Sequence, residues 1–210
     1  MEELFPGVFK VMPSKLSPHK YISFFIERQA GNLLFPCYSS SSTIDASFDE
    51  IDRRGGLAYQ LLGDSHFKSP YCDTVAERFN APLYVSEKEA PDVAPKLTHV
   101  QVFPFTPHQL APEIEVIPTP GHRPGGVCYL VTMQQQTILW AGDFIWHNGD
   151  EWRVFPTKAG RQQIVESLQT VAAKEWQVLL ANTKVSNPTC FVEVTTQTRA
   201  AFIESLIAKL

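Results

Sequence analysis

The chain has 210 residues, 44% of them hydrophobic and 19% charged, with a formal net charge of −4. That composition supports an ordinary buried core, excludes a disordered chain, and gives no electrostatic basis for nucleic-acid binding. The four cysteines, Cys37, Cys72, Cys128 and Cys190, form no C-x-x-C pair, which excludes a zinc ribbon or a dithiol redox motif.

The first residues, MEELFPGVFKVMP, are acidic and carry no long apolar run, so they are not read as a signal peptide. No apolar run approaches transmembrane length. With free, partly buried thiols, the expectation is a cytoplasmic protein without membrane or nucleic-acid partners. Gly7 to Val11 reads as a first strand and Lys20 to Glu27 as a second; the Gly31-Asn32 turn then returns the chain through Leu33-Leu34-Phe35 as a hairpin. The polar run Ser39 to Thr43 reads as a loop leading to a helix N-cap, since no glycine-rich frame surrounds it. Thr43 to Arg53 has helical spacing and stops at Gly55-Gly56.

Leu57 to Leu62 reads as a strand, followed by the polar loop Asp64-Ser65-His66-Phe67-Lys68-Ser69. Tyr71 to Phe79 reads as a helix ended by Asn80-Ala81-Pro82, and Leu83-Tyr84-Val85 as a strand. Ser86 is the expected cap of a helix starting before Ala90, and Pro91 to Pro107 is expected to be irregular. Ile114 to Ile117 is a strand. Trp146 to Asp150 is expected to be a turn. Lys158 to Lys174 carries one helical stripe, Trp176 to Leu180 is a strand, and Thr195 to Leu210 is a closing helix with Ala201, Phe202, Leu206 and Ile207 as its apolar face.

The centre of the chain is IPTPGHRPGGVCYLVTMQQQTILWAGDFIW, from Ile117 to Trp146. Val127 to Val131 and Thr137 to Ala141 are short apolar runs rich in β-branched and aromatic residues, joined by the polar link Thr132 to Gln136. A hairpin brings the residue before its first strand near the residue after its second, so His122 and Asp143 fall at one end of a sheet, as a metal site requires.

The order of these signals resembles the metallo-β-lactamase fold superfamily, whose hallmark H-x-H-x-D-H follows a strand and precedes a helix. Pro120-Gly121-His122, with Arg123-Pro124-Gly125, matches the P-G-H element of that family, and Ala141-Gly142-Asp143 its G-D element. Asn80-Ala81-Pro82-Leu83-Tyr84 looks like the segment leading to its next strand. In the hallmark's place stands Asp64-Ser65-His66-Phe67-Lys68-Ser69: His66 matches the second histidine, while Asp64, Lys68 and Ser69 replace the first histidine, the aspartate and the last histidine. The late G-H falls at Ala181-Asn182.

The resemblance implies an α/β fold, a single four-layer αββα sandwich over residues 1–210, with the site at the carboxyl ends of the strands. It implies Asp64, His66, His122 and Asp143 as ligands of at most one divalent ion, zinc, iron or manganese, since two imidazoles and two carboxylates suit any of these. Asp64 and His66 share a face if the chain stays extended there. Asp64 also reads as an Asx-turn or a helix cap. Lys68 opposes a second cation and is available to pair with Asp143, and Asn182 is a weak ligand. The general base is then Asp64 or Asp143, which would also coordinate. Two functions follow: a hydrolase acting on an ester, thioester, amide or phosphoester, or an inactive protein of the same fold that binds a small ligand or a protein partner. His147 is a turn residue near the same loop; His19, His99 and His108 carry no ligand pattern. The four tryptophans read as core or pocket wall and Cys128 as a buried small hydrophobe.

Overall fold

The computed structural model describes residues 1–38, 42–155, 160–187 and 189–210. The serine run at 39–41 and the expected helix start at 158–159 lie outside the described residues. The chain forms two compact units, Met1–Phe103 with Thr183–Pro188, and Pro104–Asn182 with Thr189–Leu210.

In the first unit, β1 (Glu2–Phe5), β2 (Val8–Val11), β3 (Tyr21–Ile26) and β4 (Leu33–Phe35) form an antiparallel meander. The sheet continues in parallel through β5 (Tyr59–Leu61), β6 (Leu83–Ser86) and β7 (Val100–Phe103). Parallel neighbours need crossovers. These are α1 (Phe48–Arg53), α2 (Tyr71–Phe79) and α3 (Ala90–Val93), the last followed by a 3-10 turn at Ala94–Lys96. Asn80, at φ 53, ends α2 in the left-handed conformation that asparagine tolerates. Phe9, Phe25, Leu34, Ile51, Val75 and Leu83 are among the core residues. The buried Gln60 amide donates to the Cys72 and Ala81 carbonyls at 3.0 and 2.8 Å, tying β5 to both ends of α2.

In the second unit, β8 (His108–Ala111), β9 (Ile114–Pro118), β10 (Val127–Thr132) and β11 (Thr137–Gly142) are successive antiparallel strands. The expected central hairpin is β10–β11, with Thr132 opposite Thr137. A separate hairpin follows, β12 (Ile145–His147) and β13 (Trp152–Val154). Then α4 (Arg161–Ala172) crosses over to β14 (Val178–Ala181), which runs parallel to β11. The short β15 (Thr183–Lys184) pairs with β3 in the first unit's sheet. Finally β16 (Phe191–Glu193) pairs antiparallel with β14, and α5 (Thr196–Ile207) closes the chain. The strand order is β16-β14-β11-β10-β9-β8. Since β9 and β11 both oppose β10, and β14 runs with β11, the carboxyl ends of β9, β11 and β14 share one edge.

Several sequence expectations are corrected. Ser86 ends β6 and does not cap a helix; the helix starts at Ala90, after a turn in which the Ser86 hydroxyl accepts the Glu89 N–H at 3.4 Å. The segment from Pro91 to Pro107 holds α3 and β7, because β7 gains its hydrogen bonds from β6, a partner that local sequence does not reveal. Trp146 and His147 lie in β12, and the turn begins at Asn148. On α5, Phe202, Leu206 and Ile207 pack on the core as expected, but Ala201 is exposed, and Arg199 and Ile203 complete the buried side. Arg199 is buried because its guanidinium donates to the Trp176 carbonyl at 3.0 Å and to Glu175 at 2.7 Å. No described helix is long and apolar enough to cross a membrane.

Candidate metal centre

Asp64 lies three residues past β5 in extended backbone, and Ser65–Phe67 then forms a 3-10 turn. The chain therefore does not stay extended through His66, as the alternation argument required. Asp64 caps the turn instead: Oδ1 accepts the His66 backbone N–H at 2.8 Å, and His66 Nδ1 stands 3.4 Å from the same oxygen. The capping and ligand readings of Asp64 are compatible, since a carboxylate accepts at both oxygens. Asp64 is buried and the His66 side chain is exposed. The Lys68 ammonium donates to the Ser65 carbonyl at 3.0 Å and makes no ion pair among the described residues, so the suggested pairing with Asp143 is not observed.

His122 sits in the link between β9 and β10, pinned by α4. The Ser167 hydroxyl donates to the Pro120 carbonyl at 2.8 Å. Gly121 has φ +127, and a Cβ there would stand 2.4 Å from Ile164 Cγ1 and 3.0 Å from the Ile164 backbone nitrogen. The glycine before the histidine is thus required by both conformation and helix packing. The His122 ring lies 5.5 Å from that of Phe155, which stacks on Trp146 at 4.6 Å.

Asp143 follows β11 directly. The Phe144 N–H returns to the Ala141 carbonyl at 3.0 Å, closing a tight turn around it, and Gly142 takes φ +55. Asn182, one residue past β14, donates its amide to Asp143 Oδ1 at 2.9 Å. His122, Asp143 and Asn182 follow β9, β11 and β14, whose carboxyl ends lie on one edge.

Asp64 and His66 in the first unit, and His122 and Asp143 in the second, each offer one atom that could bind a metal ion. Two imidazoles and two carboxylates fit zinc, iron or manganese. His147 belongs to the hairpin, its ring edge-on to Trp152 at 5.3 Å.

No protein-family model matches the chain, and no curated protein matches it. Solved structures do. A metallo-β-lactamase from Cronobacter sakazakii, a mutant of a HARLDQ motif, superposes with a TM-score of 0.67 at 16% identity over 99% of this chain and 94% of that one. A B3 metallo-β-lactamase described as having an active-site glutamic acid gives 0.64 at 14% identity, over 99% and 88% of the two chains. An archaeal superfamily protein from Sulfolobus tokodaii gives 0.64 at 15% identity, over 95% and 85%.

The chain has the metallo-β-lactamase fold. At these identities the likeness concerns the fold alone, and it agrees with the α/β class expected from the sequence. In this chain the loop after β5 carries Asp64 and His66, the P-G-H link carries His122, and the G-D turn carries Asp143. The residues that sequence reasoning missed are those supporting the loop after β5, Glu89 and Asp92. Glu89 Oε2 accepts the Ser65 N–H at 3.0 Å and Asp92 Oδ2 the Ser65 hydroxyl at 3.4 Å, from positions 24 and 27 residues away. No local pattern marks contacts at that separation.

Proposed function

We propose that this chain is a hydrolase-like protein that holds one divalent ion, zinc, iron or manganese, on Asp64, His66, His122 and Asp143. The observation that carries the reading is the metallo-β-lactamase fold together with a metal-binding atom on each of these four residues, in the loops that follow β5, β9 and β11. An active-site glutamic acid is described for one protein of the same fold, which supports a carboxylate such as Asp64 in this setting. A bound ion of this kind supplies Lewis acidity and makes water a nucleophile near neutral pH.

The chain's own residues account for the rest. Asp64 orders the His66 turn through its cap, and Asn182 fixes the orientation of Asp143. With Lys68, Ser69 and Asn182 where a second ion would need ligands, the proposed chemistry is that of a single ion. Asp64 and Asp143, the carboxylates of the set, are the proposed proton acceptors. The substrate is an ester, thioester, amide or phosphoester. The competing reading, an inactive protein that binds a small ligand or a protein partner, is favoured by those same three residues.

The test is hydrolysis of p-nitrophenyl acetate, an acyl thioester, an anilide and bis-p-nitrophenyl phosphate, with and without a chelator. Turnover of any of them that the chelator and Asp143→Asn both abolish supports the hydrolase. Absence of such turnover overturns it and leaves the binding protein.

A further inference from the structure

Ser65 lies between two of the proposed ligands, is completely buried, and has a partner at each of its polar groups. Its N–H donates to Glu89 Oε2 at 3.0 Å. Its hydroxyl donates to Asp92 Oδ2 at 3.4 Å. Its carbonyl accepts from Lys68 Nζ at 3.0 Å.

Glu89 is itself only 2% exposed. Burying a carboxylate is costly unless hydrogen bonds hold it. The turn after β6 supports Glu89: its N–H bonds to the Ser86 carbonyl at 3.0 Å and faces the Ser86 hydroxyl at 3.4 Å. Because β5 and β6 are adjacent parallel strands, the turns that follow their carboxyl ends are neighbours, and Glu89 reaches Ser65 directly. Lys68 holds the opposite side of the same residue. The position where the fold's hallmark has an aspartate thus supplies a clamp.

We infer that Glu89 and Lys68 are positioning residues of the metal site: together they fix the Ser65 backbone so that Asp64 and His66 present their donors without rearrangement. The inference rests on the single-ion reading above. Groups that orient metal ligands in this way typically alter affinity about 10–100-fold when removed.

The experiment is zinc affinity by competition with a chromophoric chelator, alongside thermal melting of the metal-free protein. The proteins are wild type, Glu89→Ala, Glu89→Gln, Lys68→Met and Lys68→Arg. Glu89→Ala and Lys68→Met should bind zinc about tenfold more weakly or worse, with Glu89→Gln and Lys68→Arg recovering most of the loss because each keeps its hydrogen bond. If Glu89→Ala does not fold, Lys68→Met against Lys68→Arg carries the comparison. Melting points that fall while zinc affinity stays at the wild-type value would overturn the clamp and leave the single-ion reading standing. A wild type that takes up no zinc, iron or manganese would overturn both.

Discussion

The side-chain amide of Asn182 donates to Asp143 Oδ1 at 2.9 Å, while the Asn182 backbone N–H donates to the Gly142 carbonyl at 3.1 Å. The residue that stands where the fold's late histidine is expected therefore orients a neighbouring carboxylate. Asn182 is 4% exposed, so the interaction is sheltered from water. Asn182→Ala should destabilise the protein by about 1–3 kcal/mol, the range for losing a buried hydrogen bond to a charged group. It should also weaken metal binding by about tenfold, because Asp143 is no longer aimed. Chemical denaturation and zinc titration of the same preparation check both effects.

Gly121 is fixed by packing as much as by its φ of +127, since Ile164 fills the space a methyl group would take. Gly121→Ala combines left-handed strain, about 1–3 kcal/mol, with overpacking of similar size. The expected loss is therefore several times that of an ordinary surface substitution. Gly121→Ala/Ile164→Ala should recover only part of it, because the Ile164 backbone nitrogen stays 3.0 Å from the new Cβ. Urea unfolding of the three proteins measures the difference.

All four cysteines are buried and free. Burial pushes the Cys72 and Cys128 thiols up to about 12 from an ordinary 9.0, because the thiolate loses its hydration. In the native protein at pH 8 a thiol reagent should find no fast-reacting group, and in denaturant it should titrate all four. The raised folded-state values also set the sign of the pH dependence. The contribution is fully present below pH 9, where the unfolded thiols are protonated, and is lost as pH rises from 9 to 12. The denaturation midpoint should therefore be lower at pH 10 than at pH 8, and Cys128→Ala should reduce the difference.

How much of this was legible in the sequence depends on how local the signal is. The β10–β11 hairpin, α2 from Tyr71 to Phe79 and the stripe of α4 are visible because their patterns are complete within a short window. The strands β7, β8 and β16 were not, because each is short and holds its shape through a partner elsewhere in the sheet. The buried face of α5 was read correctly at Phe202, Leu206 and Ile207 but missed Arg199, which only its contacts with Trp176 and Glu175 make acceptable in the interior. At the site, the four candidate ligands could be proposed from motif positions. The means by which the loop after β5 is shaped could not, since a 3-10 turn capped by Asp64 replaces the expected extended chain and its supports come from β6 and α3. Lys68 shows the same limit: its charge suggested a carboxylate partner, and its hydrogen bond goes to a carbonyl.

The most direct measurement is the metal content of protein purified without added metal or chelator, by elemental mass spectrometry, with His122→Ala prepared in parallel. About one equivalent of zinc, iron or manganese in the wild type, lost in His122→Ala, is the expected result for a single site of four ligands. A wild type that carries no metal, and stays metal-free after incubation with zinc, would contradict it.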